Sequence, residues 1–173
     1  MKLRVALRSK YMIIVWLLLV ITILLFSIVL LFGAPYLPTL APQIQTAIEL
    51  ANLKPNQKVL ELGCGDGRVV KAFAKEKIYV TGIELNPILV IIAWLKTYRY
   101  RPYARIVWGN FWTLDWPETD VIFIFLLNKY MKKMDNKCIR YKYKPIKLIS
   151  FAFKIPDKKI TKQSNGLYLY SYK

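Results

Sequence analysis

The sequence predicts an α/β protein, an open, doubly wound and mostly parallel sheet preceded by one N-terminal transmembrane helix. Three observations carry that expectation. Apolar runs of strand length alternate with runs of helical period. Several of the former, such as Val121 to Leu127, are apolar at every position, which suits strands buried on both faces of a parallel sheet. Finally, "YMIIVWLLLVITILLFSIVLLF", residues 11–32, contains no charge and only Thr22 and Ser27 as mild polar interruptions.

Taken in order, residues 1–10 form a basic N-terminus with Lys2, Arg4, Arg8 and Lys10. Residues 11–32 would span about 33 Å as a helix, enough for a bilayer core. A cleaved secretory signal fits less well: its apolar region usually runs only ~7–15 residues, and the exit "FGAPYLP" offers no small-residue cleavage pattern. Four cations before the helix favour a cytoplasmic N-terminus, which sends the rest outside. A domain that uses a cytoplasmic cofactor must instead stay on that side, as a hairpin broken at Gly33, Pro35 and Pro38 would allow. The expectation is a membrane-attached protein, single-pass or interfacial, with its domain on the cytoplasmic side; the topology stays open.

Residues 33–55 are predicted as a linker containing Pro35, Pro38 and Pro42, followed by an amphipathic helix in which Ile44, Ala47, Ile48 and Ala51 recur at helical spacing. Residues 56–173 form the domain. Strands are expected at "KVLEL", "IYVTGIE", "ARIVWGN", "DVIFIFLL", "KLISFAFKI" and "LYLYSY", and helices at "GRVVKAFAKE" and "NPILVIIAWLKTYRY". Asn86 and Pro87 suit the N-cap and first turn of the second of these.

Beyond residue 32 the chain carries 23 Lys and Arg against 10 acidic residues, a net charge of +13. Much of this lies in "NKYMKKMDNKCIRYKYKPIK", where eight cations face only Asp135. Such a run is either a solvated basic loop or a surface for anionic lipid headgroups, with nucleic acid a weaker option. The chain has no histidine, which excludes imidazole bases and imidazole metal ligands. Cys64 and Cys138 are isolated in sequence, so neither a disulfide framework nor a metal site is expected.

The stretch "VLELGCGDGRVV", residues 59–70, places a glycine-rich turn after the first strand, where a doubly wound sheet binds ligands. The lysine and Ser/Thr of a nucleoside-triphosphate loop are missing, and Arg68 occupies the third glycine position of a dinucleotide fingerprint. The spacing is G-x-G-x-G, from Gly63, Gly65 and Gly67, with Glu61 two residues ahead. In this it resembles motif I of the class I S-adenosylmethionine-dependent methyltransferases. Glycines let the turn pass close to the cofactor without a Cβ clash, and Glu61 and Asp66 are the carboxylates available to its ammonium group. Asp66 also suits a helix N-cap. Glu84, in "GIELNP" at the end of the second strand, stands where a carboxylate accepts from both ribose hydroxyls. The resemblance further implies that Asn110, in "VWGNFW", meets the adenine edge and that Phe111 packs against its ring.

"PYLPT", "LGCGDGRVV", "GIELNPILV" and "ISFAFKIP" together resemble the membrane-anchored protein-lysine methyltransferases of mitochondria that modify the c-ring protein of ATP synthase and the ADP/ATP carrier, and their prokaryotic relatives. That resemblance implies methyl transfer to lysine on a membrane protein. The alternatives are transfer to a lipid amine or small amphiphile, and a cofactor-binding membrane protein without transfer activity. Nucleic-acid amine methylation usually places an acidic residue or Asn, two prolines and an aromatic after the fourth strand, and "LLNKYM" departs from this. An aromatic acceptor pocket would draw on Asn128, Tyr130 and aromatics of "WLKTYRY". No catalytic residue is assigned.

Overall fold

The computed structural model describes residues 2–32 and 41–173, with side chains at 8, 10–24 and 43–173. It divides into two compact units, Met1–Pro35 and Tyr36–Lys173. The predicted linker at Gly33, Pro35 and Pro38, with the "PYLPT" motif, lies outside the described residues.

In the first unit, α1 runs from Lys2 to Phe32. The helix therefore begins before the boundary expected at Tyr11, because Lys and Arg are good helix formers and no Gly or Pro interrupts residues 2–10. The described side chains from Tyr11 to Leu24 are exposed. Among the described residues, no helix is long and apolar enough to cross a membrane.

In the second unit, α2 (Ala41–Ala51) carries Pro42 in its first turn, the position that tolerates proline. There follow β1 (Lys58–Leu62), α3 (Arg68–Lys75), β2 (Tyr79–Glu84), α4 (Pro87–Thr97), β3 (Ala104–Trp108), β4 (Val121–Ile124), α5 (Met131–Ile139), β5 (Ile146–Phe151), β6 (Lys162–Ser164) and β7 (Leu167–Tyr172). The sheet order is β3-β2-β1-β4-β5-β7-β6. The first five strands are parallel, and β7 runs antiparallel to β5 and β6. The predicted doubly wound sheet is thus present, with its order reversing between β1 and β4.

Alternate residues of the central strands feed two cores. Val59, Val80, Phe123 and Ile149 pack with α2 and α3 around Phe73. Leu60, Leu62, Ile122, Ile124 and Leu148 pack on the opposite face with Met131, Met134 and Cys138 of α5.

Three details differ from the sequence expectation. The predicted strand "KLISFAFKI" stops at Phe151: Ala152 takes a left-handed φ of 67°, and its N–H donates to Gly166 O, the next partner in the β5–β7 register, where the pairing ends. The lysine-rich stretch contains helix α5, whose buried Met131, Met134 and Cys138 sit at i, i+3 and i+7 amid the charges. Strand β6 has three exposed polar residues and no apolar pattern; Asn165 and Gly166, with φ of 46° and 77°, turn it into β7.

Gly82, inside β2, fixes how closely α3 and the β1 turn approach the sheet. A Cβ there would lie 2.7 Å from Val70 Cγ2 and 2.8 Å from Cys64 Sγ. Gly82→Ala should lower unfolding free energy in a urea titration by about 1–3 kcal/mol, the usual cost of overpacking. Unchanged stability would show that this layer repacks freely.

Candidate cofactor site

The glycine turn caps the C-terminal end of β1, and the backbone explains its composition. Gly63, Gly65 and Gly67 take φ of 78°, 54° and 76°, the left-handed region that side chains disfavour. The N–H groups of Gly63 and Cys64 both donate to Ile83 O, at 2.8 and 3.1 Å, tying the turn to β2. Two of the glycines do different work. A Cβ at Gly67 would lie 2.8 Å from Ala93 Cβ and 2.9 Å from Ala93 Cα, so this position lets α4 close against the turn. A Cβ at Gly63 would meet nothing within 4 Å.

Glu84, at the end of β2, is buried, and both its carboxylate oxygens are engaged. Gly65 N donates to Oε2 at 2.9 Å and Asn86 N to Oε1 at 2.8 Å. One side chain therefore joins the glycine turn to the start of α4. Each oxygen keeps further acceptor capacity. Asn86 caps α4 through Oδ1, which accepts from Ile88 N at 2.9 Å and Leu89 N at 3.4 Å, and Pro87 opens the helix as expected.

The other two carboxylates differ sharply. Glu61 is buried, and its Oε2 has no hydrogen-bond partner. Burial, then the charges of Glu84 and Asp66, push its carboxyl well above the ordinary range. Asp66 is saturated: Oδ1 accepts from Arg68 Nε and Oδ2 from Arg68 Nη2, both at 3.0 Å, and Lys96 Nζ of α4 also pairs with it. Burial pushes the Asp66 carboxyl up, but Arg68 and Lys96 outweigh it and hold the group well below the carboxylate range. The N-cap of α3 is Gly67, not Asp66, although Asp66 Oδ1 does accept from Arg68 N at 3.3 Å.

At the end of β3, Gly109 N donates to Glu84 O at 2.9 Å, which brings Asn110 and Phe111 to the same edge of the sheet. Asn110 Oδ1 accepts from Trp112 N at 2.9 Å, so its oxygen shapes this loop. Phe111 is half-buried, with its ring centroid 4.8 Å from that of Trp112. Beyond β4, Asn128 is exposed and the Tyr130 ring stands 5.9 Å from Trp112. Phe111, Trp112 and Tyr130 thus form an aromatic corner between the ends of β3 and β4. Trp94 and Tyr98 of "WLKTYRY" do not join it; they are exposed on the outer side of α4.

Lys133 and Lys137 of α5, and Arg140 just past its end, line a cavity of about 520 Å³ with Trp112, Trp116 and Tyr141. Lys137 Nζ donates to Trp112 O at 2.8 Å, and burial lowers its pKa. Among the described residues there is no cluster of metal-ligating side chains.

These residues fit S-adenosylmethionine. Gly63 leaves open space beside the turn, and Glu61 Oε2 is an orphan acceptor matched to an ammonium. Glu84 offers remaining lone pairs to hydroxyls. The Arg68 and Lys96 pairing of Asp66 was not legible in the sequence, since Lys96 lies thirty residues away.

Gly67→Ala should cost about 2–5 kcal/mol in thermal or urea unfolding, combining a left-handed penalty with overpacking against α4. Gly63→Ala should cost only about 1–2 kcal/mol yet weaken cofactor binding. Equal stability losses would contradict the division of roles. Asp66 has a depressed folded pKa, so its stabilisation is present above the unfolded value near ~3.9 and is lost as pH falls through the folded value. Asp66→Asn should therefore be less stable at neutral pH and lose less stability below about pH 4, as equilibrium unfolding against pH would show.

Comparison with known proteins agrees with this geometry. The structure superposes on an RNA methyltransferase from Salinibacter ruber, solved with S-adenosyl-L-homocysteine, with a TM-score of 0.73 at 21% identity, covering 78% of this chain and 93% of that one. In sequence, a protein-lysine N-methyltransferase of Saccharolobus islandicus is 29% identical over 148 residues, which is 79% of this chain and 92% of the relative. A human lysine N-methyltransferase named for ATP synthase is 28% identical over 70% of this chain, which spans only 53% of that protein. The ANTKMT methyltransferase domain model matches residues 61–162, from the end of β1 to the first residue of β6. That match covers more than half of the molecule, and the chain belongs to the ANTKMT methyltransferase family of S-adenosylmethionine-dependent enzymes, with the class I, Rossmann-like fold.

Proposed function

We propose that this chain methylates the side-chain amine of a protein lysine, and that α1 attaches it to the membrane in which its substrate resides. The observation that carries the cofactor half is Glu84, held by Gly65 N and Asn86 N beside an open Gly63 and an unpartnered Glu61 oxygen. The lysine half is supported by the archaeal relative, itself named a protein-lysine N-methyltransferase and matched over 92% of its length. Membrane attachment is supported by the uncharged run from Tyr11 to Phe32 and the exposed side chains of Tyr11 to Leu24.

The bound cofactor supplies a methyl group on a sulfonium, which leaves without acid assistance. The chain's own task is therefore alignment and desolvation. In this reading Glu84 fixes the ribose end and Glu61 takes the ammonium. Asn110 and Phe111 border the adenine, while Gly63, Gly65 and Gly67 let the backbone approach. A lysine must attack as a neutral amine, and an apolar surround lowers the pKa of its ammonium. Phe111, Trp112 and Tyr130 provide such a surround, with Asn128 exposed beside it, and no histidine base is required.

Three measurements test this. Glu84→Ala should weaken S-adenosylmethionine binding at least tenfold in calorimetry, the loss of hydrogen bonds to a charged group being worth about 1.5–3 kcal/mol. Glu61 has a raised folded pKa, so it holds a proton at pH values where free carboxylates have lost theirs, and pairing with an ammonium should expel it. Titrations in buffers of different ionisation enthalpy should reveal this release, and Glu61→Gln should abolish it. For the acceptor, the full chain with methyl-labelled cofactor and isolated membranes should place label in methyl-lysine; label confined to the lipid fraction would overturn the lysine reading.

A further inference from the structure

Helix α4 is apolar on two sides. Its inner stripe, Leu89, Ala93 and Thr97, is buried against the body of the domain. Its outer stripe, Ile91, Trp94 and Leu95, continues into Tyr98 in the turn after the helix; the four recur at i, i+3, i+4 and i+7 and are 59%, 45%, 62% and 54% exposed. A helix apolar all round is ordinarily enclosed. Here the second face lies open, and Trp108, 66% exposed and fixed by its Nε1 to Leu85 O, extends it.

The charges around this face identify what it suits. The segment between Glu84 and Asp115 holds no acidic residue and four cations, Lys96, Arg99, Arg101 and Arg105; of these Lys96 pairs with Asp66, and Arg101 and Arg105 border a groove that also holds Glu118. The Arg101 guanidinium lies 4.6 Å from the Trp94 ring centroid and 4.5 Å from that of Tyr98. Tryptophan and tyrosine with their apolar bodies beside arginine heads are the composition of a helix lying in a headgroup layer.

We propose that the outer face of α4 is a membrane-binding surface for bilayers carrying anionic headgroups. Ile91, Trp94, Leu95 and Tyr98 enter the acyl boundary, while Arg99, Arg101 and Arg105 meet lipid phosphates. This contact is made by the catalytic unit itself and does not depend on α1. It also bears on the cofactor site: Ala93 packs on Gly67, and Lys96 pairs with Asp66, so the glycine turn rides on the helix that meets the lipid.

The test uses the full chain with a nitroxide on Leu95→Cys or, separately, Ile91→Cys, mixed with vesicles of phosphatidylcholine and phosphatidylglycerol. The native Cys64 and Cys138 are buried and resist labelling. Labelled chains are first checked for S-adenosylmethionine binding, which reports an intact fold. Vesicles should raise the probe's accessibility to dissolved oxygen and shield it from an aqueous nickel chelate, with a smaller change on phosphatidylcholine alone. A probe at the exposed Lys159→Cys should stay aqueous. A Leu17→Cys probe follows α1 separately, so failure of the anchor and failure of the α4 contact give different results. A probe at residue 95 that remains aqueous in the presence of vesicles overturns the proposal. So does one immobilised without lipid in proportion to protein concentration, which would assign this face to a second copy of the chain.

Discussion

The site depends on one carboxylate. Glu84 accepts from the backbone of Gly65 on one side and of Asn86 on the other, so the turn after β1 and the start of α4 are held by the same two oxygens. Hydrogen bonds from backbone N–H groups to a buried charge are among the stronger polar contacts a fold can make, and removing their acceptor leaves two donors unsatisfied. The parallel register sets this up. Glu84 ends β2 beside Trp108 of β3, and Leu62 ends β1 opposite Ile83, so the strand ends converge on one edge of the sheet.

Around Glu84, three carboxylates are kept distinct by their partners. Asp66 spends its charge on Arg68 and Lys96, which fastens α3 and α4 to the turn. Glu61 has a buried oxygen with no partner and faces the charges of the other two. Burial first, and then those two charges, push the Glu61 carboxyl up, so the cluster is a place where a cation is favoured. That buried, unpartnered oxygen is why Glu61 is the carboxylate assigned to the ammonium of a cationic cofactor.

The legible parts of this arrangement were those fixed by local sterics. Gly63, Gly65 and Gly67 could be read because their left-handed backbone is a property of single residues, and Asn86-Pro87 because a helix start needs only its first turn. Strand β4 could be read because burial on both faces leaves it no polar position. What stayed hidden depended on distance or on a mixed pattern. The Asp66–Lys96 pair spans thirty residues, and α5 carries its apolar stripe of Met131, Met134 and Cys138 beneath a dense set of lysines. Strand β6 has no apolar residue and exists because Asn165 and Gly166 fold it onto β7. The aromatic corner could be anticipated only through Asn128 and Tyr130, since its third member, Trp112, reaches it from the loop after β3.

The reversed direction of β7 has a practical side. Its last paired residue, Tyr172, lies opposite Ile146 at the start of β5, and therefore at the edge of the sheet remote from the glycine turn. A reporter or surface tether joined after Lys173 would hold the molecule by that far edge. The cofactor edge would face outward, so immobilisation need not compete with ligand entry.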